Sequence, residues 1–225
     1  MSTGFRVLKR KQVASDELVA AFREVPVANI SDSINRMFAG GADLRPLHDG
    51  TVLAGPALTV KCRPGDNLML HYALDIAQPG DVIVVDAGGD LTNALTGELM
   101  ITYAIKKKVA GFVINGAVRD SAAIRKGSFP VFAAGVTHRG PYKDGPGEIN
   151  VPIAINGMVI EPGDLIVGDD DGFVAISLAE AAGILKKASA KHAAETKQLD
   201  DIANGTNSRD WVVNSLRSKG CFFEE

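Results

Sequence analysis

Cysteine is scarce: the chain of 225 residues holds two, Cys62 and Cys221. A pair so placed builds no disulfide framework and gives no metal-ligand spacing. No basic block stands out and the formal net charge is −3, which argues against nucleic acid as a partner. No apolar run approaches the length of a membrane span, and no leader is expected. A soluble cytoplasmic protein without a membrane partner is the expectation. The histidines His48, His71, His138 and His192 show neither zinc nor triad spacing, and no Gly-x-Ser-x-Gly elbow or phosphate-binding loop is present. Internal repeats and low-complexity tracts are absent too.

What is there is globular. Hydrophobic residues make up 46% of the chain and charged residues 23%, enough for one large domain or a compact domain with an appendage. Two short helices are expected over 15–25 and 29–38. A bent strand or strand pair is expected over Val52–Cys62, with Gly55-Pro56 as the break. Asp66 is placed to cap a helix from Asn67 to Gln78. Val82–Asp86 and Gly111–Ile114 read as buried strands, with a helix between them ending near Lys108. A short helix over 120–126 leads to a strand over Pro130–Ala134. Apolar strands alternating with helices imply a parallel βαβ core, hence an α/β fold. Residues 137–150 read as a polar Gly/Pro-rich loop and 151–176 as short strands. A long Ala/Lys-rich helix over 178–200 and a last helix over 209–218 form a C-terminal extension. The division expected is 1–178 as one domain and 179–225 as a helical, oligomer-contacting extension.

Arg119-Asp120 follows a buried strand, and in α/β proteins ligands bind off the carboxyl ends of strands. Such a pair can hold an anionic substrate with one member and a divalent cation with the other. Its bland alternative is a salt-bridged helix start. Upstream lies Thr96-Gly97-Glu98-Leu99-Met100. If a helix begins there, Gly97 allows close approach and the free amides of Leu99 and Met100 face an anion such as a carboxylate. Otherwise Gly97 is internal to a helix starting near Leu91. The run Asp169-Asp170-Asp171-Gly172 lacks calcium-loop spacing and reads as a hairpin turn. Lys61 reads as the outward member of a strand rather than a Schiff-base lysine. His71 reads as an ordinary helical residue. Val84–Asp90 lacks the glycine fingerprint of a nucleotide or methyl-donor site.

The combined motifs resemble the family that joins regulators of ribonuclease activity A to the 4-hydroxy-4-methyl-2-oxoglutarate/4-carboxy-4-hydroxy-2-oxoadipate aldolases, over roughly residues 25–178. The family's signature is an acidic residue, twenty intervening residues, then Arg-Asp. Here Glu98 stands before Arg119-Asp120 at that spacing, with Glu for the usual Asp. Supporting stretches are Asn115–Asp120, Gly127–Ala133, Gly147–Pro152 and Pro162–Gly172. The resemblance implies a swivelling β/β/α fold, assembly as a homotrimer or hexamer, and class II pyruvate aldolase chemistry with Mg²⁺ or Mn²⁺. It implies Asp120 as metal ligand and Arg119 as the contact to the pyruvyl oxygen. It further implies Gly97, Leu99 and Met100 as the carboxylate cradle, and Glu98 as the acid that orders a water. Glu195, on the C-terminal helix, is the candidate to reach a second copy's site. Its bland alternative is a solvated face where it pairs with a nearby lysine. Ala123 stands where the family usually has an acidic residue.

The reaction implied is cleavage of a 4-hydroxy-2-oxo acid to pyruvate and a second oxo acid, with oxaloacetate decarboxylation as a side activity. The base for the C4 hydroxyl stays open between a hydroxide at the cation and Glu195 of a second copy. His138, Arg139 and Lys143, in the 137–147 loop, are the candidates for choosing the C4 substituent. The alternative is a non-catalytic regulator that docks on a ribonuclease.

Overall fold

The computed structural model describes residues 2–224. In chain order the elements are β1 (Phe5–Val7), α1 (Asp16–Arg23), α2 (Val27–Ser33), β2 (Arg45–Pro46), β3 (Leu53–Cys62), α3 (Leu68–Ile76), β4 (Val82–Asp86), β5 (Ala94–Thr96), α4 (Glu98–Lys106), β6 (Gly111–Val118), α5 (Ser121–Lys126) and β7 (Val131–Val136). There follow β8 (Gly147–Ile149), β9 (Ile153–Ile155), β10 (Met158–Ile160), β11 (Leu165–Asp169), β12 (Gly172–Ile176), α6 (Leu178–Ala203) and α7 (Asp210–Ser218).

The centre is a parallel run β3-β4-β6-β7, as the apolar strands require. In β4, Val82 and Val84 enter one core while Ile83 and Val85 enter the other. Both faces are covered, so the strand is apolar at every step rather than alternating. One core is shared with α3 and α4, the other with β9 and β10. A third core joins α1, α2 and the first half of α6 to β11 and β12 through Phe22, Ile30, Val167 and Ile184. This mixed α/β architecture with C-terminal helices is the one expected.

Several elements differ from expectation. β3 is one continuous strand through Gly55-Pro56. Its first half pairs antiparallel with β11 and its second half parallel with β4. Pro56 is tolerated because the partner changes there. Residues 147–149, expected in a loop, form β8 between β1 and the end of β3. β6 runs past its expected end at Ile114, through Gly116, to Val118. The hairpin at Asp169–Gly172 holds as expected, with Asp169 accepting a hydrogen bond from the Val27 amide at 2.9 Å. Asp66 does support the start of α3, accepting from Leu68 N–H at 2.9 Å. Its other oxygen accepts from the amides of Asp144 and Gly145, which straps the 137–146 segment beside α3. Lys61 is exposed on β3. α7 buries none of its residues, and Trp211 and Phe222 are exposed.

The two cysteines differ in environment, with a direct consequence. Burial pushes the Cys62 thiol up to about 12, and Asp66 adds to the effect, whereas Cys221 is exposed. Because the thiolate is the nucleophile, iodoacetamide at neutral pH is expected to alkylate one thiol per native chain and both in denaturant, as counted by mass spectrometry.

Candidate active site

The 21-residue separation of Glu98 and Arg119 is bridged by strand pairing. β4 leaves the edge of β6 at Asn115, and β5 takes its place, pairing parallel with the last residues of β6. Parallel neighbours end on the same side. Gly97 after β5 and Arg119-Asp120 after β6 are therefore side by side, with Arg119 N–H donating to Thr96 O at 3.0 Å.

The helix that follows begins at Glu98, not near Leu91. Gly97 is its N-cap and offers no side chain to the first amides. Glu98 N–H donates to Asp120 Oδ2 at 2.9 Å. The amides of Leu99 and Met100 make no hydrogen bond among the described residues, which leaves two donors at the positive end of the helix. Gly97 is extended, so its need is space. A Cβ there would overlap Asp120 Oδ2 and stand 2.9 Å from Arg119 Cγ and 3.2 Å from Nε.

Asp120 has φ 59° and ψ 34° and caps α5. Left-handed backbone is uncommon outside glycine, though Asp tolerates it better than most, and such strain clusters at functional sites. The turn aims the carboxylate back at Gly97-Glu98. Arg119 Nε lies 3.8 Å from Asp120 Oδ2, and the two side chains are 44% and 40% exposed. That distance exceeds a hydrogen bond, so the pair is not closed on itself and both groups are available to a ligand.

Gly97, Leu99, Met100 and Arg119 line one cavity of ≈180 Å³. Its other walls include Asn67, His71, Thr96 and Lys143. Of the substituent-choosing candidates, Lys143 lines the cavity, while the exposed His138 and Arg139 do not. Glu98 borders a second, larger cleft of ≈500 Å³ between α4 and α5, shared with Ala123, Ile101 and Phe129. The one charged residue lining that cleft is Glu98, an anion. The smaller cavity, with its guanidinium, ammonium and free amides, is the one suited to an organic acid.

Glu195 is placed elsewhere within the chain. It accepts from Asn29 Nδ2 at 2.6 Å and pairs with Lys191 at 3.0 Å, which also binds Asp32. These hydrogen bonds hold its carboxyl below the usual range. Asn67, His71 and Thr96 were not singled out from sequence as site residues. The available signal was the four-residue spacing of Asn67 and His71 at a helix start, which puts both on one face.

No group of three or more His, Cys, Asp or Glu suited to a metal occurs among the described residues. Asp120 nonetheless offers a half-exposed carboxylate whose Oδ1 makes no hydrogen bond among the described residues. One carboxylate fits Mg²⁺ or Mn²⁺, hard ions that take oxygen ligands. Mg²⁺ characteristically keeps several waters and binds through one or two carboxylates plus substrate.

This arrangement defines a class: an α/β protein with a cavity carrying a guanidinium and an ammonium at the carboxyl ends of parallel strands. The model of the RraA-like family, described as aldolase/RraA, matches residues 27–175, and the chain belongs to that family. It is 41% identical over 200 residues to a protein of Halalkalibacterium halodurans named "Putative 4-hydroxy-4-methyl-2-oxoglutarate aldolase", covering 89% of this chain and 92% of that one. The fold is similar to that of Streptomyces coelicolor RraAS2, described as an unusual member of the RNase ES inhibitor RraA family. The TM-score is 0.73 at 27% identity, covering 87% and 99% of the two chains. It is also similar to the RNA-processing inhibitor RraA of Thermus thermophilis, with a TM-score of 0.62 at 29% identity, covering 68% and 93%. No helix of the described residues is long and apolar enough to cross a membrane.

Proposed function

We propose that this protein is a divalent-metal-dependent pyruvate aldolase that cleaves a 4-hydroxy-2-oxo acid, of the 4-hydroxy-4-methyl-2-oxoglutarate or 4-carboxy-4-hydroxy-2-oxoadipate type, to pyruvate and a second oxo acid. The observation that carries the reading is the convergence of Arg119, the open carboxylate of Asp120 and the free amides of Leu99 and Met100 around Gly97. The aldolase name of the 41% identical relative points the same way.

Each group has a task that its chemistry suits. The Leu99 and Met100 amides bind the substrate carboxylate at the helix start. Arg119, which cannot deprotonate at working pH, stands beside the keto oxygen and stabilises the negative charge that develops there as the C3–C4 bond breaks. Asp120 would hold Mg²⁺ or Mn²⁺, which when bound supplies Lewis-acid stabilisation of that same charge, worth several kcal/mol. Glu98 is assigned to order the water that returns a proton to C3. Oxaloacetate decarboxylation passes through the same enolate and is expected as a side activity. Glu195 is assigned to the site of a second copy in a trimer or hexamer.

The test is a coupled pyruvate-release assay on a panel of 4-hydroxy-2-oxo acids and oxaloacetate. Turnover is expected with Mg²⁺ or Mn²⁺ and none in EDTA. Full activity in EDTA with borohydride trapping of a lysine adduct would transfer the chemistry to a Schiff base. A second reading, a non-catalytic regulator of ribonuclease activity, is favoured by the likeness to RraA structures. A pull-down that recovers a ribonuclease, with no keto-acid turnover under any metal, would select it.

A further inference from the structure

The geometry points to His71 as the general base that removes the C4 hydroxyl proton, an assignment that rests on the aldolase reading above. His71 is the one histidine that lines the cavity with Arg119. His48 is buried, with Nε2 on the Thr51 carbonyl and Nδ1 accepting from Val131 N–H, and His138 and His192 lie outside it. The ring nitrogens of His71 make no hydrogen bond to protein among the described residues, so they are available to a ligand.

A second observation marks what the ligand carries there. Asn67, one helical turn before His71, and Thr96 are 2% and 3% exposed and line the same cavity. Asn67 Oδ1 and Thr96 Oγ1 are buried without a hydrogen-bond partner. The amide orientation of Asn67 is fixed, because Nδ2 donates to Leu95 O at 2.7 Å and only the NH₂ side can do so. Oδ1 is thus an unmet acceptor, and Thr96 Oγ1 an unmet donor and acceptor. Unpartnered buried polar atoms are costly. A group that both donates and accepts, such as an alcohol, is their complement. Asn67 and Thr96 share the wall of that cavity with His71, its one free imidazole.

The protonation state suits the task. Burial lowers the His71 pKa below its ordinary value of about 6.5, and Lys143, facing it from the 141–146 segment, lowers it further. Asp75, one turn on along α3, opposes them. Arg119 adds positive charge from the end of β6, while α4 presents only the uncharged Leu99 and Met100 to the cavity. Burial and the Lys143 cation favour the neutral ring, the form that accepts a proton. In the step, the O–H pair becomes the C4=O π bond of the departing oxo acid. The C3–C4 bond breaks, and its electrons form the pyruvate enolate beside Arg119. The proton rests on the His71 ring until it passes to water, and C3 takes up one proton to complete pyruvate.

Oxaloacetate provides the control, since its decarboxylation needs the enolate but removes no hydroxyl proton. In His71→Gln, kcat for aldol cleavage is expected to fall about 10²-fold or more, with a much smaller change in decarboxylation. The ratio of the two activities then shifts by about 10². The wild-type aldol reaction should lose rate on the acid side below pH 6.5 with a single ionisation that decarboxylation lacks. In Lys143→Met, that acid limb should move to higher pH. An equal fall in both reactions, or an unchanged acid limb in His71→Gln, would overturn the assignment. A wild-type protein that turns over neither substrate with any metal would instead overturn the aldolase reading beneath it.

Discussion

Arg119→Ala is expected to lower pyruvate release about 10³-fold, at the upper end of what removal of one preorganised charge-stabilising group costs. The side chain is 44% exposed and enters none of the three cores, so thermal stability should hold. That separates chemistry from folding. Arg119→Lys should recover only part of the rate, because an ammonium is a point charge without the planar fork of a guanidinium. Asp120→Asn is the sharper companion. It keeps an acceptor for the Glu98 amide and removes the charge that a hard cation needs. Activity and its saturable dependence on Mg²⁺ or Mn²⁺ should disappear together, while circular dichroism and Tm stay at wild-type values. Wild-type rates in Arg119→Ala or in Asp120→Asn would end the proposal.

Gly97→Ala carries the second large effect. The backbone there is extended, a conformation open to any residue, so the cost is not conformational. It is the overlap of a Cβ with Asp120 Oδ2 and the crowding of Arg119 Cγ at 2.9 Å. Neither group can withdraw freely: Asp120 is anchored by the Glu98 amide and Arg119 by its own amide on Thr96 O. Overpacking of this kind costs about 1–3 kcal/mol, and each kcal/mol lowers Tm by roughly 2–4 °C in a chain of this size. The loss of activity should be larger, about 10²-fold, because displacing reacting groups by about 1 Å has that effect on rate. A Gly97→Ala enzyme with unchanged kcat/KM would show that the two termini are not held together for chemistry.

The sequence made some parts of this site legible and hid others. The Arg119-Asp120 pair was visible because it follows an apolar β-branched run, and the core strands were visible because both their faces are buried. The start of α4 was not decided locally. A glycine both breaks and tolerates helix, so Leu91 and Glu98 were equal candidates, and pairing of Ala94–Thr96 with β6 settled the matter. A three-residue strand such as β5 has no period to detect. Asn115-Gly116 looked like a strand end, yet β6 continues because the bare Gly116 lets Leu95 and the Asp90 carbonyl pack against it. His71 looked like any helical histidine until the 137–146 segment, tied down by Asp66, placed Lys143 across from it.

By itself the sequence determined the parallel core, the family, and the residue types able to hold an organic acid and a hard cation. The core follows from hydrophobic period and the residue types from side-chain chemistry, which are local properties; the family follows from the resemblance of its motifs. Only the tertiary structure decided that Gly97 packs against Asp120, that the Glu98 amide binds the Asp120 carboxylate, and that Glu195 sits with Asn29 and Lys191. Each of these depends on which strands pair and in what register, and that is fixed by burial over the whole chain.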